Sequence, residues 1–452
     1  MSEIRETARS VALDVLVAVE RDDAYANILL PQRISAARLD VRDAQLATEL
    51  CHGTLRWCGY YDAVIDTVSS RSVDSLNMVV RNALRLGAHQ LLRMRVETHA
   101  AVHETVDQVK AAKFNSAAGF VNAVLRRISE KSLDQWDAHL AAQAKNDVAR
   151  LSVLYSHPEW IVRALSAALV ADGRETELEE LLQADNAAAA LALIDLRDET
   201  AEIDSTDAAR LSPRGRILSG GGNPSAVTKQ FEGRVRVQDE GSQLAALALI
   251  HAAPLVAGER WLDMCSAPGG KSAVLAQAAT VANSELVANE LNPTRMSLVR
   301  SSLAPWPQVT ITNRDGAEFA DEPASFDRIL VDAPCSGLGA LRRRPESRWR
   351  KQPKDIAELT VIQDKLLNAA LDAVKPQGIV AYVTCSPHAA ETRGIVNQVL
   401  RKRSDVTELD AKTVIDSFAN EPLGLTGSAL SAQLWPHAHQ TDAMFISLFR
   451  KH

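Results

Sequence analysis

The length, composition and charge of the chain exclude several classes of protein. At 452 residues, with 46% hydrophobic and 24% charged residues, the chain is long enough for roughly two to four folded domains, and it is neither fibrous nor intrinsically disordered. Its formal net charge of −7 excludes a protein that coats nucleic acid through bulk positive charge, so any RNA binding depends on local basic patches.

The N-terminus and the cysteines indicate the compartment. The first ten residues, MSEIRETARS, alternate in charge where a secretory signal would need an apolar core, and no later apolar run reaches the length of a membrane span. Five cysteines, an odd number without a paired framework, are typical of free thiols in a reducing environment. We therefore expect a cytoplasmic protein with no membrane partner, in which a thiol can act as a reagent.

Helices are predicted throughout the N-terminal part of the chain. Apolar residues recur at helical spacing in RETARSVALDVLVAV, AQLATELCHGTLRWCGYYDAVI and SAAGFVNAVLRRI, and no alternating strand pattern interrupts them. The segment 72–131 carries nine Lys and Arg residues against five Asp and Glu, which makes it a basic patch in an acidic chain. These features predict an all-α domain over residues 1–135 that contributes RNA affinity.

A small connecting domain is predicted after the helical one. Helical spacing continues to about residue 195 in an acidic, alanine-rich sequence, and the chain then turns irregular around SGGGNPS, residues 219–225. We place the connecting domain at residues 136–237.

The pattern changes after Gln238 to short apolar runs separated by helical stretches, which is typical of βαβ units and a parallel sheet. The final run, AMFISLF, predicts a strand that lies antiparallel at the far side of the sheet. The fold class predicted for residues 238–452 is a Rossmann-like, doubly wound α/β domain. The other candidate strands are RWLDMC (260–265), ELVANE (285–290), VTIT (309–312), RILVDA (328–333) and GIVAYVTC (378–385).

A glycine-rich turn, DMCSAPGGKS at residues 263–272, follows the first of these strands and opens a helix. In a doubly wound sheet such a turn lies at the carboxyl ends of the strands, where ligands bind, and glycine lets the backbone approach the ligand closely. GGKS resembles the end of a phosphate-binding P-loop, but that pattern needs glycine five residues before Gly270, where Cys265 stands. The dinucleotide pattern GxGxxG is also absent, which favours a cofactor without a pyrophosphate.

Two acids follow the second and third strands. Glu290 ends the second strand, where a carboxylate can accept hydrogen bonds from both ribose hydroxyls. Together with the glycine-rich turn it favours S-adenosylmethionine as the cofactor. Asp315, just past the third strand, is a candidate for the adenine end, with a helix N-cap as the alternative. Cys51 and Cys58, seven positions apart on a predicted helix, match no common metal spacing, and we expect no metal.

Two cysteines stand at the ends of neighbouring strands. Cys335 lies in DAPCSGLG after the fourth strand and Cys385 in TCSP at the end of the fifth, so both project toward one crevice. Carbon 5 of cytosine is too weak a nucleophile to attack a methyl sulfonium, but thiolate addition at carbon 6 converts it into an enamine that can. Asp332 could offset charge at ring nitrogen N3, and Cys335 is placed to remove the carbon 5 proton. Small buried hydrophobes are the alternative for both cysteines.

The motifs CSAPGGK, DAPCSGLG, RRRPE and TCSP together resemble the Sun/Fmu family of RNA 5-methylcytosine methyltransferases, and the N-terminal domain resembles the RNA-binding antitermination factor NusB. The resemblance spans nearly the whole chain, with its specific motifs between residues 238 and 387. It implies S-adenosylmethionine-dependent methylation of carbon 5 of a cytosine in RNA. The NusB-like fusion implies 16S ribosomal RNA of the small subunit as the substrate.

The resemblance also implies a role for each matching residue. Cys385, the cysteine of TC, is implied as the nucleophile, and Cys335, the cysteine of PC, as the residue that assists product release. Contacts to the phosphates that flank the target base are implied for Arg342, Arg343 and Arg348 in the basic stretch 341–350. The implied cofactor contacts are Cys265, Ser266, Ala267, Pro268, Gly269, Gly270, Lys271, Glu290, Asp315 and Asp332.

Two alternatives remain open, a P-loop-type NTPase and a non-catalytic NusB-like RNA-binding factor. ATP binding without S-adenosylmethionine binding would support the first, and retained RNA affinity without methyl transfer would support the second. The chain also departs from the family pattern at two places. The family more often has Asp where Glu290 stands, and it has Gly-Phe-Phe where this chain has Ala443-Met444-Phe445.

Overall fold

Residues 6–198, 202–219 and 224–452 are described by the structure, a computed structural model. The chain divides into two compact units. The helical unit comprises Met1–Arg163, Leu182–Ala187 and Leu341–Arg350, and the sheet unit comprises Ala164–Leu181, Ala188–Ala340 and Lys351–His452. The three-domain division expected from the sequence, with boundaries at residues 135 and 237, stays a prediction.

The helical unit confirms the all-α domain predicted for the N-terminal part of the chain. Its helices pack around two apolar clusters, one built around Tyr60, Leu84 and Trp136 and the other around Leu16 and Leu50. Burial of these apolar faces, rather than intrinsic propensity alone, stabilises helices of this length. The helices are α1 (Ala8–Arg21), α2 (Ala26–Ala36), α3 (Val41–Arg56), α4 (Cys58–Val68), α5 (Met78–Leu92), α6 (Thr98–Ala111), α7 (Ala118–Ile128), α8 (Leu133–Gln143) and α9 (Asp147–Leu154).

A four-stranded sheet, which the sequence analysis missed, lies in the connecting region. Helix was expected to about residue 195, whereas β1 occupies the last four of those residues and pairs antiparallel with both β3 and β4. Strands of three or four residues are too short to show the alternation from which strands are predicted. In the segment 219–225, predicted to be irregular, residues 220–223 lie outside the described residues. The elements are α10 (Glu159–Ala171), α11 (Leu178–Asp185), β1 (Ala192–Asp195), β2 (Thr206–Ala208), β3 (Gly215–Leu218), α12 (Pro224–Gln230) and β4 (Val235–Val237), with strand order β2-β3-β1-β4.

The second sheet confirms the Rossmann-like fold. All five parallel strands predicted from the sequence are present, with bounds that differ by up to four residues at their ends. The remaining elements are α13 (Glu240–His251), β5 (Arg260–Asp263), α14 (Gly270–Val281), β6 (Glu285–Asn289), α15 (Pro293–Ser302), β7 (Thr310–Thr312), β8 (Phe326–Asp332), α16 (Ser347–Arg350), α17 (Pro353–Ala373), β9 (Val374–Thr384), α18 (Arg393–Lys402), β10 (Val406–Leu409), α19 (Ala411–Asp416), β11 (Ala432–Gln433), α20 (Pro436–His439) and β12 (Phe445–Lys451).

The strand order of this sheet determines where a ligand can bind. The order is β10-β12-β9-β8-β5-β6-β7, and β5 to β9 pair in parallel. From β5 the chain proceeds outward to β6 and β7, then returns to the other side of β5 to form β8 and β9. Ligands of doubly wound sheets bind at the carboxyl ends of the strands where the order reverses in this way. That point lies between β5 and β8.

Apolar side chains cover both faces of this sheet. Along β9, Ile379, Ala381 and Val383 belong to one core cluster, while Val380 and Tyr382 belong to the other. Successive strand residues point to opposite faces, so a strand with partners on both sides is buried throughout. The parallel strands are therefore packed between two apolar core clusters, which fix the positions of their carboxyl ends.

The last strand occupies a more central position than expected. β12 is antiparallel, as predicted, but it lies between β9 and β10 instead of at the edge, because β10 was not predicted. The departure from Gly-Phe-Phe is accommodated, since Met444 and Phe445 are buried in the two core clusters of the sheet. Among the described residues, no helix is both long and apolar enough to cross a membrane.

Candidate active site

The catalytic and cofactor-binding residues predicted from the sequence lie at the ends of five parallel strands and meet at one edge of the sheet. In spatial order, Cys385 follows β9, Cys335 follows β8, the glycine-rich loop follows β5, Glu290 follows β6 and Asp315 lies beyond β7. Because parallel strands end at the same edge, residues that lie more than a hundred positions apart in sequence come together there.

The glycine-rich loop is a tight turn that only glycine can complete. Gly269 has a φ of 104°, in the region that favours glycine, and a Cβ there would lie 2.4 Å from the Cβ of Ser302. Its amide donates to the Ser266 carbonyl at 2.7 Å, and Ser302 Oγ donates to the Pro268 carbonyl at 2.7 Å. The turn delivers the chain into α14, so the first turn of that helix lies at the switch point of the sheet.

A buried acid, Asp263, hydrogen-bonds to the end of this loop. Ser272 Oγ donates to Asp263 Oδ2 at 2.6 Å, and burial raises the pKa of this carboxyl to about 7. No role was predicted for Asp263, although it belongs to the DMCSAPGGKS motif. Its position at the end of the first strand of the βαβ pattern was the available signal.

Glu290 hydrogen-bonds to the glycine-rich loop at the same edge of the sheet. Its Oε2 accepts a hydrogen bond from the Ala267 amide at 3.3 Å and its Oε1 from the Asn292 amide at 2.9 Å. The side chain is buried, and these two bonds use about half of the roughly four acceptor positions of a carboxylate. Acceptor capacity for a ligand therefore remains.

Asp315 is a helix N-cap, which was the alternative to its predicted role at the adenine end of the cofactor. Its Oδ1 accepts from the Ala317 amide at 3.0 Å, and its Oδ2 lies 3.0 Å from Lys365 Nζ. The Ala317 amide and the Lys365 ammonium together lower the pKa of this carboxyl. The cap leaves the side chain half-exposed, so a ligand contact is sterically compatible with it.

The two cysteines form a hydrogen-bonded pair, with 3.3 Å between their sulfur atoms. The hydrogen bond from Cys335 lowers the pKa of Cys385 against the opposing effect of burial, and Lys271 lowers it further. The same bond, together with burial, raises the pKa of Cys335 well above its ordinary value. These opposite shifts make Cys385 the more acidic of the two thiols, the one that more readily becomes a thiolate.

This asymmetry distinguishes Cys385 from every other cysteine. All five cysteines lie in the described part of the chain, and burial raises the pKa of Cys265 and of the two in the helical unit, Cys51 and Cys58. Only Cys385 has a pKa shifted toward the thiolate. A thiolate is the nucleophilic form of cysteine.

Lys271 pairs with Asp332 next to the thiols. Lys271 Nζ donates to Asp332 Oδ2 at 2.8 Å. Burial lowers the pKa of this lysine, but the carboxylate outweighs burial, and the net shift is upward. Lys271 was predicted only as part of the cofactor loop. The motif does not show that its side chain reaches Asp332 at the end of β8, so the pair was not predicted.

Arg348 belongs to the core of the helical unit, which corrects the prediction that it contacts RNA. Its side chain is fully buried. The guanidinium donates to the Arg56 carbonyl at 3.3 Å, the Ser156 carbonyl at 3.0 Å, Asn186 Oδ1 at 2.9 Å and the Asp185 carbonyl at 3.3 Å. A buried guanidinium that donates to these groups is not accessible to a phosphate.

The other two arginines of the basic stretch differ in exposure. Arg342 is 6% exposed, and this burial does not support its predicted contact with a phosphate. Arg343 is half-buried. A basic run in sequence does not reveal which side chains fold inward. Of the three arginines, Arg343 is the one that the structure leaves as a candidate for RNA contact.

Two family models match the chain. The model described as 16S rRNA methyltransferase RsmB/F matches residues 251–450, and the NusB family matches residues 6–130. The first match contains the glycine-rich loop, both acids and both cysteines at the edge of the sheet. The second contains α1 to α7.

Similar proteins cover the full length of the chain. A Mycobacterium tuberculosis protein named "Putative methyltransferase" is 43% identical over 453 residues, 99% of this chain and 97% of its own length. The "Probable ribosomal RNA small subunit methyltransferase B" of Bacillus subtilis is 30% identical over 467 residues, 99% of each chain. Among solved structures, PH0851 superposes with a TM-score of 0.80 over 100% of both chains at 20% identity, which shows a common fold.

Proposed function

The chain belongs to the 16S rRNA methyltransferase RsmB/F family, and from this premise we propose that it methylates carbon 5 of a cytosine in 16S ribosomal RNA, with S-adenosylmethionine as the methyl donor. The observation that carries the proposal is the pair of thiols at the switch point of the sheet, one of them with a lowered pKa. Methylation at a ring nitrogen or a ribose hydroxyl needs no thiol, whereas methylation at carbon 5 of cytosine needs one. An enzyme that acts on ribosomal RNA would work in the cytoplasm.

The residues around the glycine-rich loop fit S-adenosylmethionine. Gly269 and Gly270 present bare backbone, and Glu290 retains acceptor capacity for ribose hydroxyls. Next to Gly270, the buried Oε1 of Gln238 accepts no hydrogen bond from the described residues, which leaves an acceptor for a donor group of a ligand. Lys271, which would hold phosphates in a P-loop, is instead committed to Asp332, and this weighs against the NTPase alternative.

The thiols would act in two stages. Cys385, as the thiolate, adds to carbon 6 of the flipped-out cytosine and the ring electrons move to carbon 5. The Lys271–Asp332 pair offsets charge at N3 during this addition. Bound S-adenosylmethionine supplies the electrophilic methyl group that carbon 5 takes up.

Release of the product depends on the second thiol. Once the Cys385 sulfur is bonded to carbon it is no longer charged, so the main cause of the raised pKa of Cys335 disappears. Cys335 can then give its proton to solvent and, as the thiolate, take up the carbon 5 proton. The electrons of that bond reform the double bond and expel the Cys385 thiolate.

The proposed chemistry is tested by identifying the methylated nucleoside. The chain would be incubated with S-adenosylmethionine carrying a labelled methyl group and with small-subunit ribosomal RNA or subunits from cells that lack the protein. We expect 5-methylcytidine as the labelled nucleoside in mass spectrometry. Label on another atom would refute the proposed chemistry, and RNA binding without any transfer would favour the non-catalytic alternative.

Replacement of Glu290 tests the cofactor site. Loss of a charge-assisted pair of hydrogen bonds costs about 1.5–3 kcal/mol, so Glu290→Ala should raise the dissociation constant for S-adenosylmethionine roughly ten- to a hundredfold. Calorimetry measures this constant directly. Glu285→Ala, at the exposed start of the same strand, is the matched control and should bind normally. An unchanged constant for Glu290→Ala would remove this residue from the cofactor site.

The salt dependence of RNA binding separates Arg343 from Arg348. Each phosphate contact contributes about 0.9 to the slope of log affinity against log salt, so Arg343→Ala should flatten the slope by about one unit. Arg348→Ala should keep the slope but lower the melting temperature, because it leaves four buried acceptors without their donor. A parental slope in Arg343→Ala, measured by titration at several salt concentrations, would show that this arginine contacts no phosphate.

A further inference from the structure

A buried carboxylate, Glu391, connects the loops that carry the two thiols. It is fully buried and accepts four hydrogen bonds. Its Oε1 accepts from the Ser336 amide at 2.7 Å and from Gln363 Nε2 at 3.1 Å. Its Oε2 accepts from Ser336 Oγ at 2.5 Å and from Ser386 Oγ at 2.7 Å. All four donors point inward, which matches a carboxylate, a group that only accepts.

The two serines are the residues that immediately follow the two cysteines. Ser336 comes after Cys335 and Ser386 after Cys385, and their hydroxyl oxygens lie 3.0 Å apart. The Glu391 side chain therefore joins the two loops at the residues next to the sulfurs. A backbone hydrogen bond from Gly339 to the Cys385 carbonyl at 2.9 Å also joins the two loops, and it does not depend on Glu391. Loss of the carboxylate would thus loosen the thiols without separating the loops.

We propose that Glu391 is the positioning residue of the thiol pair: by binding both serines, it holds the sulfurs of Cys335 and Cys385 at the separation that allows one thiol to donate to the other. The role in catalysis rests on the proposed function, whereas the geometry of the pair does not. Glu391 was not predicted as a site residue, because it lies in a loop six residues beyond Cys385 and the sequence shows no partner for it.

The negative charge of Glu391, like its hydrogen bonds, favours donation from Cys335 to Cys385. It is one of the groups that raise the pKa of Cys335, so it keeps this thiol protonated and able to donate. The other groups that face the Cys385 sulfur are Asp332 and Asp442, which raise its pKa, and Lys271, which lowers it. Lys271 and Asp332 hydrogen-bond to each other at 2.8 Å, whereas Glu391 binds the serines that follow the two cysteines, so a change at Glu391 reaches Cys385 through Cys335 and the loops.

Thiol alkylation as a function of pH tests the proposal without RNA or cofactor. The full-length chain would be treated with iodoacetamide between pH 6 and 9, and alkylation at each cysteine followed by peptide mass spectrometry. In the parent protein we expect Cys385 to react at lower pH than a free cysteine. Glu391→Gln places an amide among four donors. In this variant we expect alkylation of Cys385 at pH 7 to slow roughly tenfold and the midpoint of the Cys385 profile to rise by about one pH unit.

A matched control separates positioning from general loss of stability. Tyr382 OH donates to the backbone carbonyl of Glu391 at 2.7 Å, so Tyr382→Phe removes one buried hydrogen bond to the same residue but leaves the carboxylate in place. We expect Tyr382→Phe to keep the parental alkylation profile. Equal shifts in Tyr382→Phe and Glu391→Gln would overturn the proposal, and so would a parental profile in Glu391→Gln.

Two further measurements complete the test. If Glu391→Gln does not fold, Ser386→Ala removes one arm of the same connection and should shift the Cys385 profile in the same direction; a parental profile would overturn the proposal. With RNA and cofactor, Glu391→Gln should lower kcat roughly ten- to a hundredfold with little change in KM. A parent protein that transfers no methyl group would refute the proposed function, while a shifted alkylation profile in Glu391→Gln would still support positioning.

Discussion

Cys385→Ala should abolish methyl transfer and any covalent complex with RNA. No other sulfur at the edge of the sheet has its pKa shifted toward the thiolate, so no group can replace it at carbon 6. Removal of a nucleophile costs on the order of 10⁴-fold or more in rate. Transfer of a labelled methyl group to RNA measures the loss, and a denaturing gel measures the covalent complex.

Binding should survive this substitution. The glycine-rich loop and Glu290 do not depend on the Cys385 side chain, so the affinities for S-adenosylmethionine and for RNA should stay within about twofold of the parent. Cys51→Ala, which removes a buried thiol from the helical unit, is the matched control and should retain transfer. Residual transfer by Cys385→Ala at a tenth of the parental rate or more would exclude this residue as the nucleophile.

Cys335→Ala should leave the enzyme bonded to methylated RNA. Addition by Cys385 does not need the second thiol as a base, but release of the product does, so turnover should fall by roughly 10²–10⁴-fold as expected for loss of general base catalysis. The adduct would appear as a band of reduced mobility on a denaturing gel. Nucleoside analysis of that band should show that the bound cytosine is already methylated.

The hydrogen bond between the thiols adds a pH dependence to this result. Cys335→Ala removes the donor that lowers the pKa of Cys385, so that pKa should rise and the adduct should form more slowly at pH 7 and faster as the pH increases. Cys335→Ser keeps an O–H donor but is a poor base, so it should form the adduct at nearly the parental rate and still not release it. If Cys335→Ala turns over normally and Cys385→Ala traps RNA, the two roles are reversed.

Much of the site was predictable because its residues sit at the ends of strands. Cys335, Cys385 and Glu290 each follow an apolar run, and the parallel pairing of those runs brings their carboxyl ends together without any need to know the side-chain packing. The same reasoning gave the fold class, since the alternation of strands and helices is visible in the sequence.

What the sequence did not reveal depends on side-chain direction and on short elements. Arg348 stands in a basic run, and only the packing of the helical unit shows that its guanidinium is surrounded by carbonyl groups. The Lys271–Asp332 pair and the bonds between Glu391 and Ser336 join residues 61 and 55 positions apart, so no local pattern in the sequence indicates them. The strands of the small sheet, three or four residues long, are below the length at which periodicity is visible.

The proposed function is tested most directly by bisulfite sequencing of 16S ribosomal RNA from cells that lack this protein, compared with the same cells supplied with the parent chain or with Cys385→Ala. Bisulfite converts cytosine but spares 5-methylcytosine. We expect a cytosine that is protected in cells with the parent chain, and converted both in its absence and with Cys385→Ala. A pattern of protection that is the same in all three would contradict methylation of 16S ribosomal RNA by this chain, and protection restored by Cys385→Ala would contradict its covalent mechanism.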